Sequence, residues 1–205
     1  MNYPSTEPFI RDFVFDDEQL EHLQEMWEEG VENNYFQHAT TYNPNEKTQN
    51  KGYTRFCYHY QFNFRHVPDV ALTLRDMLVE WYPEQEQDVW FAQMEFIHYS
   101  GVGQTFMPHT DDLPNGETHG RLYTTVTMLE KSDDLIGGTL KVWVPREGTV
   151  TGWDGQYWID LEVGETIMFP AYFMHEVTPL VQGDRRVLIS WGQIGTQQHF
   201  TEVVS

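Results

Sequence analysis

The spacing of apolar positions changes near residue 89. Before that point, two stretches repeat apolar residues every three or four positions, the period of a helix with one buried face. Leu20, Leu23, Met26 and Trp27 predict a helix over 17–32, with Asp16 or Asp17 placed to cap it. Val70, Leu74, Met77, Leu78 and Trp81 predict a second over 68–82, stopped by Pro83. Phe9 to Phe15 alternates and reads as a short strand, and the aromatic-rich 53–64 reads as another. The polar, turn-rich stretch 40–52 reads as a mobile loop.

From Val89 onward the pattern becomes one of short strands separated by turns bearing Gly, Pro and Asp. Strands are predicted at 89–99, 104–109, 121–129, 138–144, 157–160, 166–169, 173–178 and 185–192. Helices that precede the strands, instead of alternating with them, argue against a parallel α/β sheet. The expected fold is mainly β with N-terminal helices: a double-stranded β-helix, or jelly roll. Residues 1–88 form its helical and strand support region within the same domain, and 89–200 form the core. No repeat, low-complexity tract or clear linker interrupts this order.

Composition narrows the partners. At 205 residues and 40% hydrophobic, the chain suits one domain with a sizeable core. Its net charge of -20 repels phosphates and anionic lipid, so neither nucleic acid nor a membrane is an expected partner. The plain reading of that charge is solubility; the functional one is attraction of a basic peptide or cationic substrate. A lone cysteine, Cys57, excludes an intrachain disulfide and agrees with a reducing compartment. No signal-peptide pattern or apolar run of membrane-spanning length is evident, so a cytoplasmic location is expected.

The chemistry centres on His109-Thr110-Asp111. Residues i and i+2 of a strand share a side, so His109 and Asp111 can offer an imidazole nitrogen and a carboxylate oxygen to one point. Asp112 would point away. His175, in FPAYFMHEVTPL, lies among Phe173, Met174 and Val177 on a strand that reads as interior-facing. A histidine there needs a hydrogen-bond partner or a metal. Two histidines and one carboxylate suit non-haem Fe(II) and leave one face of the ion open. The other histidines read as ordinary: His59 and His98 within strands, His22 on a polar helix side, and His38, His66, His119 and His199 in or near loops or the tail. His-x-Asp alone is a weak signal. A second one follows ten residues after His175, where Arg185 and Arg186 offer a planar cation able to grip a carboxylate in two places. Adjacent strand residues face opposite sides, and periodicity leaves the choice between them open.

The stretch from Phe96 to Trp191, about half the chain, resembles the catalytic domain of the prolyl 4-hydroxylase branch of Fe(II)/2-oxoglutarate oxygenases. The matching residues are Tyr99-Ser-Gly-x-Gly, His109-Thr-Asp111, Arg121 with its strand, Gly137-Gly138-Thr139-Leu140, Val163-Gly-Glu-Thr166 leading to Phe169, His175-Glu-Val-Thr-Pro, Gly183-Asp-Arg185 and Trp191. The resemblance implies that His109, Asp111 and His175 ligate Fe(II). It selects Arg185, six residues before Trp191, for the 2-oxoglutarate carboxylate, and implies that Tyr99 hydrogen-bonds that co-substrate. Relatives often add a tyrosine where this chain has Met128; Thr124, on the same strand face, is the expected substitute. Residues 146–158 look longer than the family's minimal hairpin, a segment placed to help cover the site.

The implied activity is hydroxylation of an unactivated C–H with O2 and 2-oxoglutarate as co-substrates and ascorbate as an accessory reductant. Retention of Asp111 implies hydroxylation and not halogenation, since a halide needs that ligand position. The branch suggests a prolyl residue in a peptide or protein as substrate. A free amino acid or small metabolite is the alternative, and a non-catalytic metal-containing jelly-roll binding module is the rival from another class. The fold does not choose among them.

Overall fold

The structure is a computed structural model that describes residues 9–42, 53–82, 89–112, 120–146 and 152–194. In chain order the elements are β1 (Ile10–Asp12), α1 (Asp17–Glu32), β2 (Gln37–Tyr42), β3 (Tyr53–Asn63), α2 (Pro68–Trp81), β4 (Val89–Tyr99) and β5 (Thr105–His109). They continue with β6 (Arg121–Lys131), β7 (Ile136–Gly137), β8 (Leu140–Pro145), β9 (Trp153–Ile159), β10 (Thr166–Pro170), β11 (Met174–Val177), β12 (Leu180–Gln182) and β13 (Arg185–Ile194).

Both predicted helices form, for the reasons read from their residues. Asp16 caps α1 with a reciprocal pair: its carboxylate accepts from Gln19 N (2.9 Å), while Gln19 Oε1 accepts from Asp16 N (3.2 Å). Pro68 opens α2 at a position whose N–H has no helical partner. The expected loop at 40–52 needs correction at its start, because 37–42 pair with β3 as β2. That also moves His38 from a loop onto a strand. The short β7 and β12, paired with each other, escaped the sequence reading because strands of two and three residues carry no period. Pro83, His119, His199 and most of the 40–52 stretch lie outside the described residues.

The strands curl into two facing antiparallel layers joined as one sheet. The larger layer runs β1-β10-β6-β13-β4-β3, with β2 on β3; the smaller runs β5-β11-β8-β9, and β3 pairs with β5 between them. This is the double-stranded β-helix. β3, from the first 88 residues, is hydrogen-bonded directly to β4 and β5 of the core.

Two apolar clusters occupy the two faces of the larger layer. Between the layers lie Ile97, Val126, Leu140, Val142, Phe169 and Val187 among others. On the outer face, Leu23, Trp27, Val70, Leu74 and Leu78 of the helices pack on Phe91, Met94, Phe96 and Leu188. Among the described residues, no helix is long and apolar enough to cross a membrane.

Candidate metal centre and its pocket

β5 and β11 pair so that His109 lies directly opposite His175. β5 ends at His109, and Asp111 lies in a bend beyond it rather than on the strand of the sequence reading. Its place is set instead by backbone bonds, as the amides of Asp111 and Asp112 both donate to Ala171 O (2.9 and 3.2 Å), just before β11. Residues remote in sequence are thus held together by main chain.

The three side chains converge. One ligand atom from each of His109, Asp111 and His175 lies within 4.8 Å of the other two. His109 Nε2 is 3.7 Å from Asp111 Oδ1, and His175 Nε2 is 3.4 Å from Asp111 Oδ2. Donors sharing a face around one ion stand about 3 Å apart at metal–ligand distances near 2.1 Å, so the three are grouped on the scale of one ion.

The surrounding hydrogen bonds orient each donor. His109 Nδ1–H donates to Met107 O (2.7 Å) and His175 Nδ1–H to Phe173 O (3.0 Å), each carbonyl two residues upstream. A carbonyl only accepts, so the proton sits on Nδ1 and the Nε2 lone pair faces the centre. Asp111 Oδ2 accepts from Thr124 Oγ1 (2.6 Å) and Trp191 Nε1 (3.0 Å), and Oδ1 accepts from neither. Electrostatics agree. Burial first, and then neighbouring His175, push the His109 imidazole well below its ordinary pKa, which keeps it unprotonated. Burial alone would raise the Asp111 carboxyl, but His175, His109 and the two donated bonds outweigh it and hold the carboxyl below its ordinary value.

The triad shares one cavity with Val126, Leu140, Val187, Ile189, Tyr99 and Arg185. Arg185 is 2% exposed. Its Nη1 donates to Gly138 O, its guanidinium stands 5.4 Å from the Tyr99 ring centroid, and no carboxylate pairs with it among the described residues. Arg185 Nε and the Tyr99 hydroxyl are both buried without a partner. Burial drives the Arg185 pKa down, offset only in part by Tyr99 and Asp160. A buried cation beside an unsatisfied hydroxyl is costly unless an anion completes it. Gly138 admits the guanidinium: its φ is +62°, and a Cβ there would meet Arg185 Cδ at 3.2 Å. That use of the glycine pair had no signal in the sequence beyond ordinary turn chemistry.

The register of β13 decides between the two arginines. Arg186 points outward, bonded to Glu130 (2.6 Å) and stacked over Trp27. Thr124, expected at the distal carboxylate of a co-substrate, donates its hydroxyl to Asp111 Oδ2. Met128 is buried, 4% exposed. His98 and His59 stay apart from the triad, bound to Asp184 and Glu95.

A second cavity of about 600 Å³ adjoins the first and shares Trp191 with it. Gln61, Phe62, His66, Gln93 and Arg121 are among its other lining residues. The Arg121 guanidinium lies 3.8 Å from the Trp191 ring centroid and donates to Gln93 Oε1 (3.0 Å). The sequence reading noted Arg121 and Trp191 by resemblance and missed Gln61 and Gln93, which only the pairing of β3 with β4 brings together.

A double-stranded β-helix thus carries a His-x-Asp and a distant His as a donor set that could hold a metal ion, with a buried arginine lining the same cavity. Residues 94–193 match the family model of the 2OG-Fe(II) oxygenase superfamily. A PKHD-type hydroxylase of Shewanella sp. (strain ANA-3) is 30% identical over 101 residues, 48% of this chain and 41% of that protein. The chain thus spans about two-fifths of the length of that curated relative. A prolyl-4-hydroxylase of Pseudomonas putida superposes with a TM-score of 0.63 at 14% identity, covering 93% of this chain and 95% of that one. A prolyl hydroxylase of Trichoplax adhaerens, solved with a hypoxia inducible factor peptide fragment, gives 0.61 at 14% identity, over 98% and 88%. At such identity these two likenesses speak for the fold.

Proposed function

We propose that the protein is an Fe(II)- and 2-oxoglutarate-dependent dioxygenase that hydroxylates an unactivated C–H, in a prolyl residue of a peptide or protein. The observation that carries this reading is Arg185: a buried guanidinium with no carboxylate partner among the described residues, lining the same cavity as the triad. A structural metal needs no such arginine, which weighs against a non-catalytic binding module.

The residues present fit the implied groups. His109, Asp111 and His175 would hold Fe(II) through Nε2, Oδ1 and Nε2. Arg185 would grip the far carboxylate of 2-oxoglutarate with its planar guanidinium. The unpartnered Tyr99 hydroxyl would donate to the same carboxylate. When bound, the iron with its co-substrate and O2 supplies the oxidising power for C–H hydroxylation. The protein's own part is positional: Thr124 and Trp191 keep Asp111 oriented and ionised, and the apolar walls exclude water. Trp191, touching both cavities, places the substrate carbon beside the metal. A cytoplasmic enzyme with ascorbate as accessory reductant completes the proposal.

One observation favours the second reading, a free amino acid or small metabolite. Arg121 faces the adjoining cavity with no carboxylate partner among the described residues, a setting suited to a substrate's own carboxylate. The test uses Fe(II), ascorbate and labelled 2-oxoglutarate with panels of proline-containing peptides and free amino acids. Succinate above a His175→Ala control, with a 16-dalton gain on peptidyl proline, is expected. A gain on free amino acids alone overturns the peptide reading, and no succinate with any substrate overturns the enzyme.

A further inference from the structure

We propose that Arg55, anchored by Glu95, is a positioning residue that sets the plane of the His109 imidazole through the ring of Phe106. The inference rests on the metal-centre reading above and extends it to three residues that no step so far uses.

The three groups form a stack. β3 pairs with β5 so that Arg55 lies opposite Phe106. The Arg55 guanidinium carbon stands 4.9 Å from the Phe106 ring centroid. On β5, the Phe106 and His109 rings lie 20° from parallel with centroids 3.6 Å apart. Phe106 is therefore sandwiched between a cation and a candidate metal ligand.

Arg55 has little freedom to leave. It is 9% exposed, and its Nη2 donates to Glu95 Oε2 at 2.7 Å. Glu95, 1% exposed, also accepts from Gln61 Nε2 (3.2 Å) and contacts His59 Nδ1. Three donors thus converge on one buried carboxylate at the barrel wall. A buried ion pair of this kind is rarely a net gain over an apolar pair of similar volume. Its cost calls for a local cause, and the stack supplies one.

His109 needs such support more than its partners do. Its side chain is 22% exposed, against 9% for Asp111 and 7% for His175, and it sits on the last residue of β5. The bond from Nδ1 to Met107 O aims the ring along one line but leaves it free to rock about that line. A flat ring clamped face to face removes that motion. The cation polarises the aromatic face from the far side, while Glu95 balances its charge so that the stack does not repel a metal ion.

The experiment titrates metal-free protein with Co(II), followed by its visible absorption, alongside thermal melting without metal. Phe106→Leu removes the ring and leaves the buried ion pair intact. The double variant Arg55→Met/Glu95→Met removes the cation without stranding a charge. Each is expected to weaken Co(II) binding by about tenfold to a hundredfold, as loss of outer support around a metal ligand does, and to alter the absorption spectrum. The triple variant is expected to lose no more than either, because all act on one stack, and Phe106→Tyr, which keeps the ring, is expected to restore affinity. Affinity within about twofold of wild type in Phe106→Leu, or losses that multiply in the triple variant, overturns the proposal. If wild-type protein itself fails to bind Co(II), the metal-centre reading falls, and this inference with it.

Discussion

The two faces of β4 differ in what they leave unfinished. Met94 and Phe96 point to the helices and join Leu23, Trp27, Val70, Leu74 and Leu78 in an apolar layer. Glu95, Ile97 and Tyr99 point into the barrel, where the Tyr99 hydroxyl and Arg185 Nε have no partner. One layer is a finished core whose contribution scales with the apolar area it buries. The other is a wall whose polar groups wait for a ligand. A single strand serves both because its side chains alternate, so stability and chemistry sit one residue apart. The contrast teaches that changes on the helical side are expected to move the folding equilibrium, and changes on the barrel side the binding equilibria.

The sharpest way to break that contrast is Arg185→Gln. Removing the cation from a buried carboxylate pair costs about 3–5 kcal/mol, so 2-oxoglutarate affinity is expected to fall about 10²- to 10³-fold or more. Melting of the ligand-free protein is expected to hold or rise, since an unpaired buried charge is lost. Calorimetric titration with 2-oxoglutarate and a thermal melt check both halves. Reduced stability with unchanged affinity would place Arg185 among ordinary core residues.

Leu74→Ala tests the opposite face. The residue is fully buried, and its truncation is expected to cost about 2–5 kcal/mol in a denaturant titration. Metal affinity per folded molecule is expected to stay at the wild-type value. A loss of affinity would mean that the two faces are coupled.

Thr124→Val reaches between the two. It keeps the shape and removes the hydroxyl that donates to Asp111, so metal affinity is expected to drop about tenfold to a hundredfold, with Trp191 still donating. Metal titration of the variant is the measurement, and an unchanged affinity would show that Trp191 alone suffices to orient the carboxylate.

The smallest effect is the pH dependence of the metal-free protein. The folded pKa of His109 lies below the ordinary imidazole value of 6.5. Below that value the unfolded chain gains a proton that the folded chain refuses, so this contribution is complete above about pH 6.5 and is lost progressively as the pH falls from there toward the folded value of about 3. Asp111, also held below its ordinary value, adds stability that disappears only at lower pH, as its folded carboxyl protonates. His109→Gln is expected to flatten the first part of the stability–pH curve, measured by chemical denaturation between about pH 7 and 4. An unchanged slope would mean that the imidazole titrates alike in both states.

Much of the fold was legible because helices and long strands carry a period. The range 17–32 for α1 and 89–99 for β4 come directly from apolar spacing. β2 was not legible, since QHATTY has no alternation and draws its stability from pairing with β3. In the site, His109, Asp111 and His175 stood out as donor types in a promising order, and they converge. The bond from Thr124 to Asp111 was not legible, because parity says which face a side chain takes but not what waits there.

By itself the sequence determined the order of the elements, the donor types and the pairing of His-x-Asp with a later His and Arg, since these depend on local period and chemical identity. Only the tertiary structure decided that Asp111 is hung from Ala171 beyond the strand end, that Gly138 admits the Arg185 side chain, and that Arg55 reaches Phe106. Each depends on the register between strands distant along the chain. A shift of one residue turns every side chain to the opposite face, and no local spacing records which register was taken.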